Sequence, residues 1–268
     1  MRIIKPSKFS SNDTSCVFFL VEGNCLSMGL KNTNDSKTLL IQNSPTRLFY
    51  PPYDKIKSFP FACDYIKWGE IEKYHKSDTC KNRKKWWNVV AEKSRKTSSC
   101  MAFNYNIHET GHFYFSKTPL YFSDNFHQVY TNNPTIAAIG YSSLSILMIN
   151  ILSRTPFGGG KAKLQTYELK RIPALSPDCL TSKQRDIIYD AWNSISARPI
   201  ISIFDEFGFN ADVNIREQEP NPLPDRAELD NIVFDELGLT EEERKEVYWA
   251  VCELVKQRLE KARSLNRR

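Results

Sequence analysis

The residues of this sequence best suited to chemistry are a run of cations that leads into two tryptophans. The run TCKNRKKWWNVV, from Thr79 to Val90, contains Lys81, Arg83, Lys84, Lys85, Trp86 and Trp87. Such cations bind phosphate through charge and hydrogen bonds, and tryptophan offers a large packing surface. A solvated basic turn beside two core tryptophans is the alternative. A membrane-surface helix is disfavoured because it would need a broad apolar face.

The 268-residue chain has a net charge of +6, and this charge is concentrated in one segment. Between Tyr65 and Ser99, ten lysines and arginines stand against four acidic residues, so the local excess equals that of the whole chain. Clustered positive charge among aromatic residues is the electrostatic footprint expected of nucleic-acid binding.

A second basic segment, PFGGGKAK at 156–163, follows an apolar run. Consecutive glycines can turn several backbone N–H groups toward one anion, with Lys161 and Lys163 beside them. The segment is not a Walker loop, which requires G-x-x-x-x-G-K-[ST] before a helix. A flexible helix stop is the alternative interpretation.

The pattern HETGH at 108–112 matches the zinc-protease signature H-E-x-x-H in letters only. That chemistry needs a helix that places both histidines on one face, and here the context predicts strand and turn. His127 would be the nearest third ligand. We expect no metal site.

Two other patterns indicate enzymatic chemistry, and both are incomplete. YPPY at 50–53 resembles the N/D/S-P-P-Y/F box of amino-methylating DNA methyltransferases, but Tyr50 replaces the small polar residue that would accept a hydrogen bond from the target amino group. No glycine-rich strand-to-helix turn suited to S-adenosylmethionine is evident. A nuclease would need clustered carboxylates, and the nearest pairs, Asp205–Glu206 and Asp235–Glu236, lack partner motifs.

Composition indicates a globular protein, with 41% hydrophobic and 25% charged residues. The seven cysteines include no C-x-x-C pair, which disfavours a zinc ribbon or a disulfide framework and favours reduced thiols in the cytoplasm. No targeting signal is evident at the amino end. The apolar run from Ile136 to Leu152 is interrupted by polar residues and predicts a buried helix, so no membrane partner is expected.

The first half of the chain predicts strands. These are expected within 15–50, in CVFFLVEG and KTLLIQ, and within 100–131, in MAFNYNI, GHFYFS and NFHQVYT, with turns at Gly111, Pro119 and Asn132–Pro134. Helices are expected in this half only around Trp68–Tyr74 and at Lys85–Lys93.

The second half predicts helices. They are expected from Thr135 as a cap to about Ser153, in TYELKR, at Thr181–Ala197 and at Ile200–Phe207. Two capping boxes, Asp225-x-x-Glu228 and Thr240-x-x-Glu243, predict the last two helices, the first of which ends at Gly238. The final helix carries an apolar stripe of Tyr248, Val251, Cys252, Val255, Leu259 and Ala262.

These elements predict an α+β fold in two domains. Residues 1–175 would form a mixed, strand-rich domain, and residues 176–268 a helical region with a proline-rich linker near 217–225.

Three segments resemble one family. YIKWGEIEKYHKSDTCKNRKKWW (65–87), SSLSILMINILSRTPFGGGKAKLQTYELKRIPAL (142–175) and FDELGLTEEERKEVYWAVCELVKQRLEKARS (234–264) are similar to the carboxyl-terminal target-recognition region of adenine-specific (N6) DNA methyltransferases of type II restriction–modification systems, of the kind that combines restriction with modification. Their order and spacing also fit. The family often has Asn where this chain has Tyr141, and a further basic residue near Ser77–Asp78.

The resemblance implies a role in binding double-stranded DNA, with residues 1–175 as the DNA target-recognition domain. In such enzymes an amino-terminal Rossmann-like domain binds the methyl donor and flips the adenine out, while the later region holds DNA and reads its sequence. This chain matches the later region only. We therefore expect it not to be an enzyme by itself, to carry no cofactor, and to work with a catalytic domain or subunit that binds S-adenosylmethionine and docks on its carboxyl-terminal helices.

The resemblance also implies which residues contact DNA. The expected phosphate contacts are Lys76, Lys81, Arg83, Lys84 and Lys85, with a second group of Arg154, Gly158, Gly159, Gly160, Lys161 and Lys163. Trp86 and Trp87 would support the first group from beneath. Arg83 and Arg154 are natural candidates to read bases, since arginine suits guanine O6 and N7. Two alternatives stay open: a methyltransferase or endonuclease subunit with its own activity, and a module that binds an acidic protein.

Overall fold

The computed structural model describes residues 3–4, 26–30, 36–41, 47–49, 56–88, 99–109, 112–123, 125–155 and 160–265. The fold is α+β, as the sequence predicts. The strands are β1 (Ile3–Ile4), β2 (Leu26–Leu30), β3 (Arg47–Phe49), β4 (Ser99–Asn104), β5 (Asn106–Ile107), β6 (Phe113–Phe122), β7 (Phe126–Val129) and β8 (Ala162–Lys163).

The helices fall mainly in the second half of the chain. They are α1 (Pro60–Ile71), α2 (Asp78–Lys81), α3 (Pro134–Gly140), α4 (Ser143–Leu152), α5 (Thr166–Leu169), α6 (Ser182–Ala197), α7 (Ile203–Phe207), α8 (Pro224–Glu236) and α9 (Glu241–Leu265). Short 3-10 helices lie at Ile56–Ser58, Tyr74–Lys76, Pro177–Cys179 and Ile215–Glu217.

The chain forms two compact units that are interleaved along the sequence. Unit 1 comprises residues 1–36, 42–99 and 118–124, and unit 2 comprises 37–41, 100–117 and 125–268. Unit 2 therefore draws residues from both sides of position 175. The division into domains at 175 and 176 stays a prediction.

Unit 1 joins a small set of strands to α1 and α2. In it β3 pairs antiparallel with both β1 and β2, and β2 pairs parallel with the end of β6, where Gly29 lies opposite Tyr121. A small core forms around Ala62 and Trp87, which Ile56, Phe59 and Ile66 flank.

Unit 2 packs short strands against a set of helices. Its strand pairs are β4 with β7, with Phe103 opposite His127, and β5 with β8, with Asn106 opposite Lys163. Helix α6 packs on α8, and α9 packs on α4. One continuous core includes Met101 and Phe103 from the strands together with Trp192 and Val251 from the helices. This shared core explains why strands and helices belong to one unit.

Several helix predictions are confirmed by side-chain caps. Thr181 caps α6 and exchanges hydrogen bonds with Gln184. Thr240 and Glu243 make the predicted reciprocal pair at the start of α9, with the Thr240 N–H donating to Glu243 at 2.8 Å. The α9 stripe is buried at Tyr248, Val251, Cys252 and Val255, and Gly238 follows α8 with φ +68. NFHQVYT contains β7, and MAFNYNI contains β5 and all but the first two residues of β4.

Other predictions of helix boundaries are wrong, each for a local reason. The helix expected from Thr135 to Ser153 is two helices, because Ser142 caps a new start at α4, and Asn133 rather than Thr135 caps α3. No side chain caps α8, which begins at Pro224 after Leu223. Asp225 instead accepts hydrogen bonds from Arg198 at 2.9 Å and Ser194 at 3.3 Å. The Asp225 carboxylate binds Arg198 instead of capping the start of α8.

Further boundaries also differ from the expectation. Pro119 lies inside β6 and not in a turn; it is exposed, where a missing N–H costs little. Helix α1 begins at Pro60, eight residues before the predicted start, and α7 begins at Ile203, three residues after it. Residues 85–88 form a turn and not a helix. CVFFLVEG, YPPY, Gly111 and residues 89–93 lie outside the described residues.

Within the described residues, no single helix is long and apolar enough to span a membrane. Helices α3 and α4 together have the necessary length and composition, but the chain bends by 63° between them.

Candidate nucleic-acid interface

The five cations predicted around 76–85 lie on short elements of unit 1. Lys76 ends a 3-10 helix, Lys81 ends α2, and the other three follow in a turn. We call this set, Lys76, Lys81, Arg83, Lys84 and Lys85, the basic loop. Its lysines are exposed and Arg83 is half-buried.

The charges of the basic loop are only partly neutralised. Lys81 pairs with Asp78 at 2.7 Å, and Arg83 donates to the Trp86 carbonyl at 3.4 Å. In the described part of the chain no carboxylate pairs with Lys76, Lys84 or Lys85. Over residues 56–88, eight lysines and arginines stand against four acidic residues. The surface therefore keeps a net positive charge.

Both tryptophans after the basic loop pack on α1. Trp87 is buried, and the Trp86 indole N–H donates to Glu70 at 3.1 Å. The Trp86 ring lies against Gly69 so closely that a Cβ there would be 2.3 Å from its nearest ring carbon. The glycine in α1 thus makes room for the ring, and the tryptophans fix the end of the loop to the helix.

Helix α1 also carries exposed residues that the sequence patterns did not single out. Phe61, Trp68 and Ile71 are exposed, and Trp68 lies 5.4 Å from Tyr65 and 5.5 Å from Tyr74 between ring centres. The helix begins at Pro60 and its predicted start was Trp68, so the prediction did not include Phe61 or Tyr65.

The second predicted group lies in unit 2 around β8. The backbones of Arg154 and Lys163 exchange hydrogen bonds of 2.8 and 2.7 Å, which brings the end of α4 beside β8. Arg154, Lys161 and Lys163 are exposed. A Cβ on Gly160 would lie 3.1 Å from that of Ala262 in α9, so this glycine permits a close approach. Gly158 and Gly159 lie outside the described residues.

Arg154 is held by two neighbours from α5. Its Nε lies 2.5 Å from Glu168 Oε1, and its Nη2 donates to the Tyr167 hydroxyl. The guanidinium also lies 5.4 Å from the centre of the Tyr167 ring. We call Arg154, Tyr167 and Glu168 the arginine clamp.

A row of polar side chains continues from the arginine clamp to β7. His127 contacts the Leu164 carbonyl at 2.8 Å through Nε2 and the Thr166 hydroxyl at 3.1 Å through Nδ1. Gln165 donates to the Tyr105 hydroxyl at 2.7 Å. The sequence patterns indicated His127 only as a metal ligand and gave no sign of Thr166, Tyr167 and Glu168. Their juxtaposition depends on tertiary pairing between residues about 40 positions apart, which no local pattern signals.

The HETGH segment serves as a docking point for α9. Arg258 donates to the carbonyls of His108 at 2.6 Å and Glu109 at 3.1 Å, while Glu109 accepts the Ile203 N–H at 3.1 Å. His108 and Glu109 form a bend and not a helix, so the spacing required for zinc is not produced. Among the described residues no group of three or more candidate ligands is clustered for a metal.

In each of the two carboxylate pairs that could suggest a nuclease, one member is bound by arginine. Glu206 is buried. Its Oε2 lies 2.6 Å from Arg226 Nη2, and its Oε1 lies 3.0 Å from Arg198 Nη1. Asp235 pairs with Arg244 at 2.5 Å. A carboxylate whose oxygens bind guanidinium groups is a poor ligand for a metal ion.

The comparison with protein families decides the family of the chain. Residues 15–206 match the model described as the type II methyltransferase M.Eco57I, C-terminal domain. The chain belongs to this family. The match covers the basic loop, the arginine clamp and most of both units. It confirms the resemblance to the carboxyl-terminal region of restriction–modification methyltransferases.

A solved structure supports the fold of this C-terminal domain. The type IIG restriction endonuclease BpuSI aligns with a TM-score of 0.57 and 11% sequence identity, over 97% of this chain. The chain spans 30% of the BpuSI chain. At this identity the likeness concerns the fold. The comparison with curated proteins found no match.

Proposed function

We propose that this C-terminal domain binds double-stranded DNA as the target-recognition part of an adenine-N6 DNA methyltransferase in a restriction–modification system. The observation that carries the proposal is the family match across residues 15–206. It makes the domain part of a methyltransferase, and the positive surface on unit 1 gives it a means of holding DNA.

The basic loop supplies the phosphate contacts in this proposal. Lys76, Lys84 and Lys85 are exposed cations without a described carboxylate partner, so binding DNA does not require breaking an ion pair. Each phosphate contact releases counterions, which gives affinity that falls steeply with salt. Trp86 and Trp87 position the loop through α1, because they are packed against the helix and not presented to solvent for base stacking.

Arg154, Lys161 and Lys163 supply a second set of contacts from unit 2, with the backbone of Gly158, Gly159 and Gly160. Short backbone hydrogen bonds between Arg154 and Lys163 keep these side chains on one structural frame. Phosphate contacts set position, while base contacts set specificity.

Catalysis comes from another domain or subunit in this proposal. The described residues include no glycine-rich strand-to-helix turn of the kind that holds S-adenosylmethionine, and YPPY has tyrosine where the catalytic box needs a small polar residue. S-adenosylmethionine would therefore bind that partner, which would also flip the adenine. The carboxyl-terminal helices remain our candidates for the docking surface, and the cytoplasm remains the expected location.

Duplex binding measured across a salt series tests the proposal. Fluorescence anisotropy with the wild-type chain should give a linear fall of log K with log salt. Lys84→Glu/Lys85→Glu should flatten the slope by about 0.9 for each lost contact, or roughly 1.8 for the pair.

A charge-matched control separates local contact from net charge. Lys37→Glu/Lys183→Glu changes the net charge equally at two lysines of unit 2, both of which are exposed. It should leave the slope close to wild type. Equal flattening by both variants would mean nonspecific attraction to the whole chain, and no duplex binding even at low salt would refute the proposal for the isolated chain.

A further inference from the structure

The exposed Arg154 has a fixed orientation that an ordinary surface arginine lacks. Its side chain is 64% exposed, yet it contacts Glu168 at 2.5 Å and the hydroxyl and ring of Tyr167. A free arginine side chain carries about 2 kcal/mol of rotamer entropy, which must be lost before it can make directional hydrogen bonds. In the arginine clamp, the rotamer entropy of Arg154 is already lost before any ligand binds.

Glu168 is fixed by the fold and not by Arg154. Its side chain is only 10% exposed, and Oε2 accepts the Gln165 N–H at 2.7 Å in the capping box of α5. Its other oxygen, Oε1, faces Arg154. The carboxylate therefore serves as a rigid anchor for the guanidinium.

The carboxylate also changes which ligand suits Arg154. Attraction to phosphate depends on net positive charge, and an ion pair at 2.5 Å cancels most of it. The guanidinium still has N–H donors: within the described residues Nη1 has no partner, and Nη2 uses one of its hydrogens for Tyr167. Lys161 and Lys163 beside the clamp keep the charge that phosphate requires.

A neutralised fork of parallel donors suits an uncharged pair of acceptors. In the major groove, guanine presents two acceptors, O6 and N7, whereas adenine presents one acceptor and one donor. We propose that Arg154 reads a guanine in the recognised sequence through Nη1 and Nη2, and that Glu168 and Tyr167 are its positioning residues. This inference rests on the proposed DNA-binding function.

The test measures base preference separately from affinity. The full chain is bound to a randomised duplex library, bound and unbound duplexes are sequenced, and the thermal midpoint of each variant is recorded. Arg154→Gln should remove a guanine preference of roughly 5- to 150-fold at one position, the range expected for a bidentate arginine. It should leave the other positions and the salt slope close to wild type. Arg171→Gln, at another exposed arginine beyond α5, is the matched control and should keep every preference.

Glu168→Gln separates positioning from folding. Glutamine keeps an oxygen for the capping bond, so the thermal midpoint should hold. Without the carboxylate charge, Arg154 should become mobile, and its positive charge should no longer be neutralised. The guanine preference should therefore weaken several-fold while the salt slope becomes steeper by up to about 0.9, which loss of structure would not produce. Tyr167→Phe should weaken the same preference without the change in slope.

The outcomes distinguish failure of the inference from failure of the proposed function. If Arg154→Gln weakens binding to all sequences equally and flattens the salt slope by about 0.9, Arg154 contacts phosphate and the inference is wrong, while DNA binding stands. A wild-type chain that binds duplex without base preference, or a guanine preference that survives Arg154→Gln, would refute the inference in the same way. Absence of duplex binding at any salt overturns both.

Discussion

His112 directly precedes β6 and is half-buried between aromatic rings. Its ring centre lies 6.1 Å from those of Tyr114 and Tyr141. Burial lowers the pKa of His112 to about 4, and the carboxylate of Glu206 and the guanidinium of Arg226 act on it in opposite directions. The last residue of HETGH is thus a neutral histidine packed between aromatic rings.

This depressed pKa predicts a dependence of stability on pH. The unfolded chain binds a proton at His112 below about 6.5, whereas the folded chain does so only near 4, so the free energy of unfolding should fall as pH drops through this window. The full effect is at most roughly 3 kcal/mol. The free energy of unfolding can be measured with urea between pH 4.5 and 7.5. It should change less with pH in His112→Gln than in wild type. Parallel curves for the two proteins would contradict the assignment.

Helix α1 and the basic loop are joined through the contact between Gly69 and Trp86. Alanine at position 69 would place its Cβ 2.3 Å from the Trp86 ring, so the ring and the loop must move. Gly69→Ala should therefore cost about 1–3 kcal/mol in unfolding free energy and weaken DNA binding. Near-ultraviolet circular dichroism and anisotropy would measure the two effects.

A second substitution tests whether this contact is the cause. The clashing atoms belong to the six-membered part of the indole, which Trp86→Phe removes. Gly69→Ala/Trp86→Phe should be more stable than the sum of the single changes predicts, by about 0.5 kcal/mol or more. Additive losses would mean that Gly69 matters for another reason.

Sequence patterns predicted those elements whose signals are local. The caps at Thr181 and Thr240 and the α9 stripe depend on residues three to four apart, and these predictions are confirmed. The Asp225 box failed because Arg198, 27 residues away, binds the same carboxylate. The arginine clamp likewise joins residues 13 and 14 positions apart through a β-bridge. Long-range pairing of this kind has no signature in spacing.

At the scale of the whole chain, a buried charge network joins distant segments of unit 2. Arg226 is fully buried; its Nη2 lies 2.6 Å from Glu206, it donates to the Tyr141 carbonyl, and it lies 4.3 Å from the centre of the Tyr141 ring. Asp230, one turn along α8, accepts the Ser143 N–H at 2.7 Å and the Tyr248 hydroxyl at 3.0 Å. Tyr141 is therefore part of the core between α3, α7 and α8.

Removing one member of this network should destabilise the whole unit. Glu206→Gln leaves Arg226 buried without its counter-charge, a change that typically costs about 3–5 kcal/mol. Unfolding in urea should shift to a lower midpoint with strands and helices still lost together, since they share one core. Glu206→Leu/Arg226→Met, which removes both charges and leaves Arg198 with Asp225, should lose less than Glu206→Gln.

Acid should act on the network at lower pH than it acts on His112. Burial raises the pKa of Glu206, but Arg226 and Arg198 outweigh burial and hold it below its ordinary value. Its contribution is therefore complete above the unfolded pKa near 4.5 and is lost as pH falls through the lower folded value. Wild type should lose stability below about pH 4.5 more steeply than Glu206→Leu/Arg226→Met. Equal acid sensitivity in the two proteins would show that Glu206 is not the group that binds the proton.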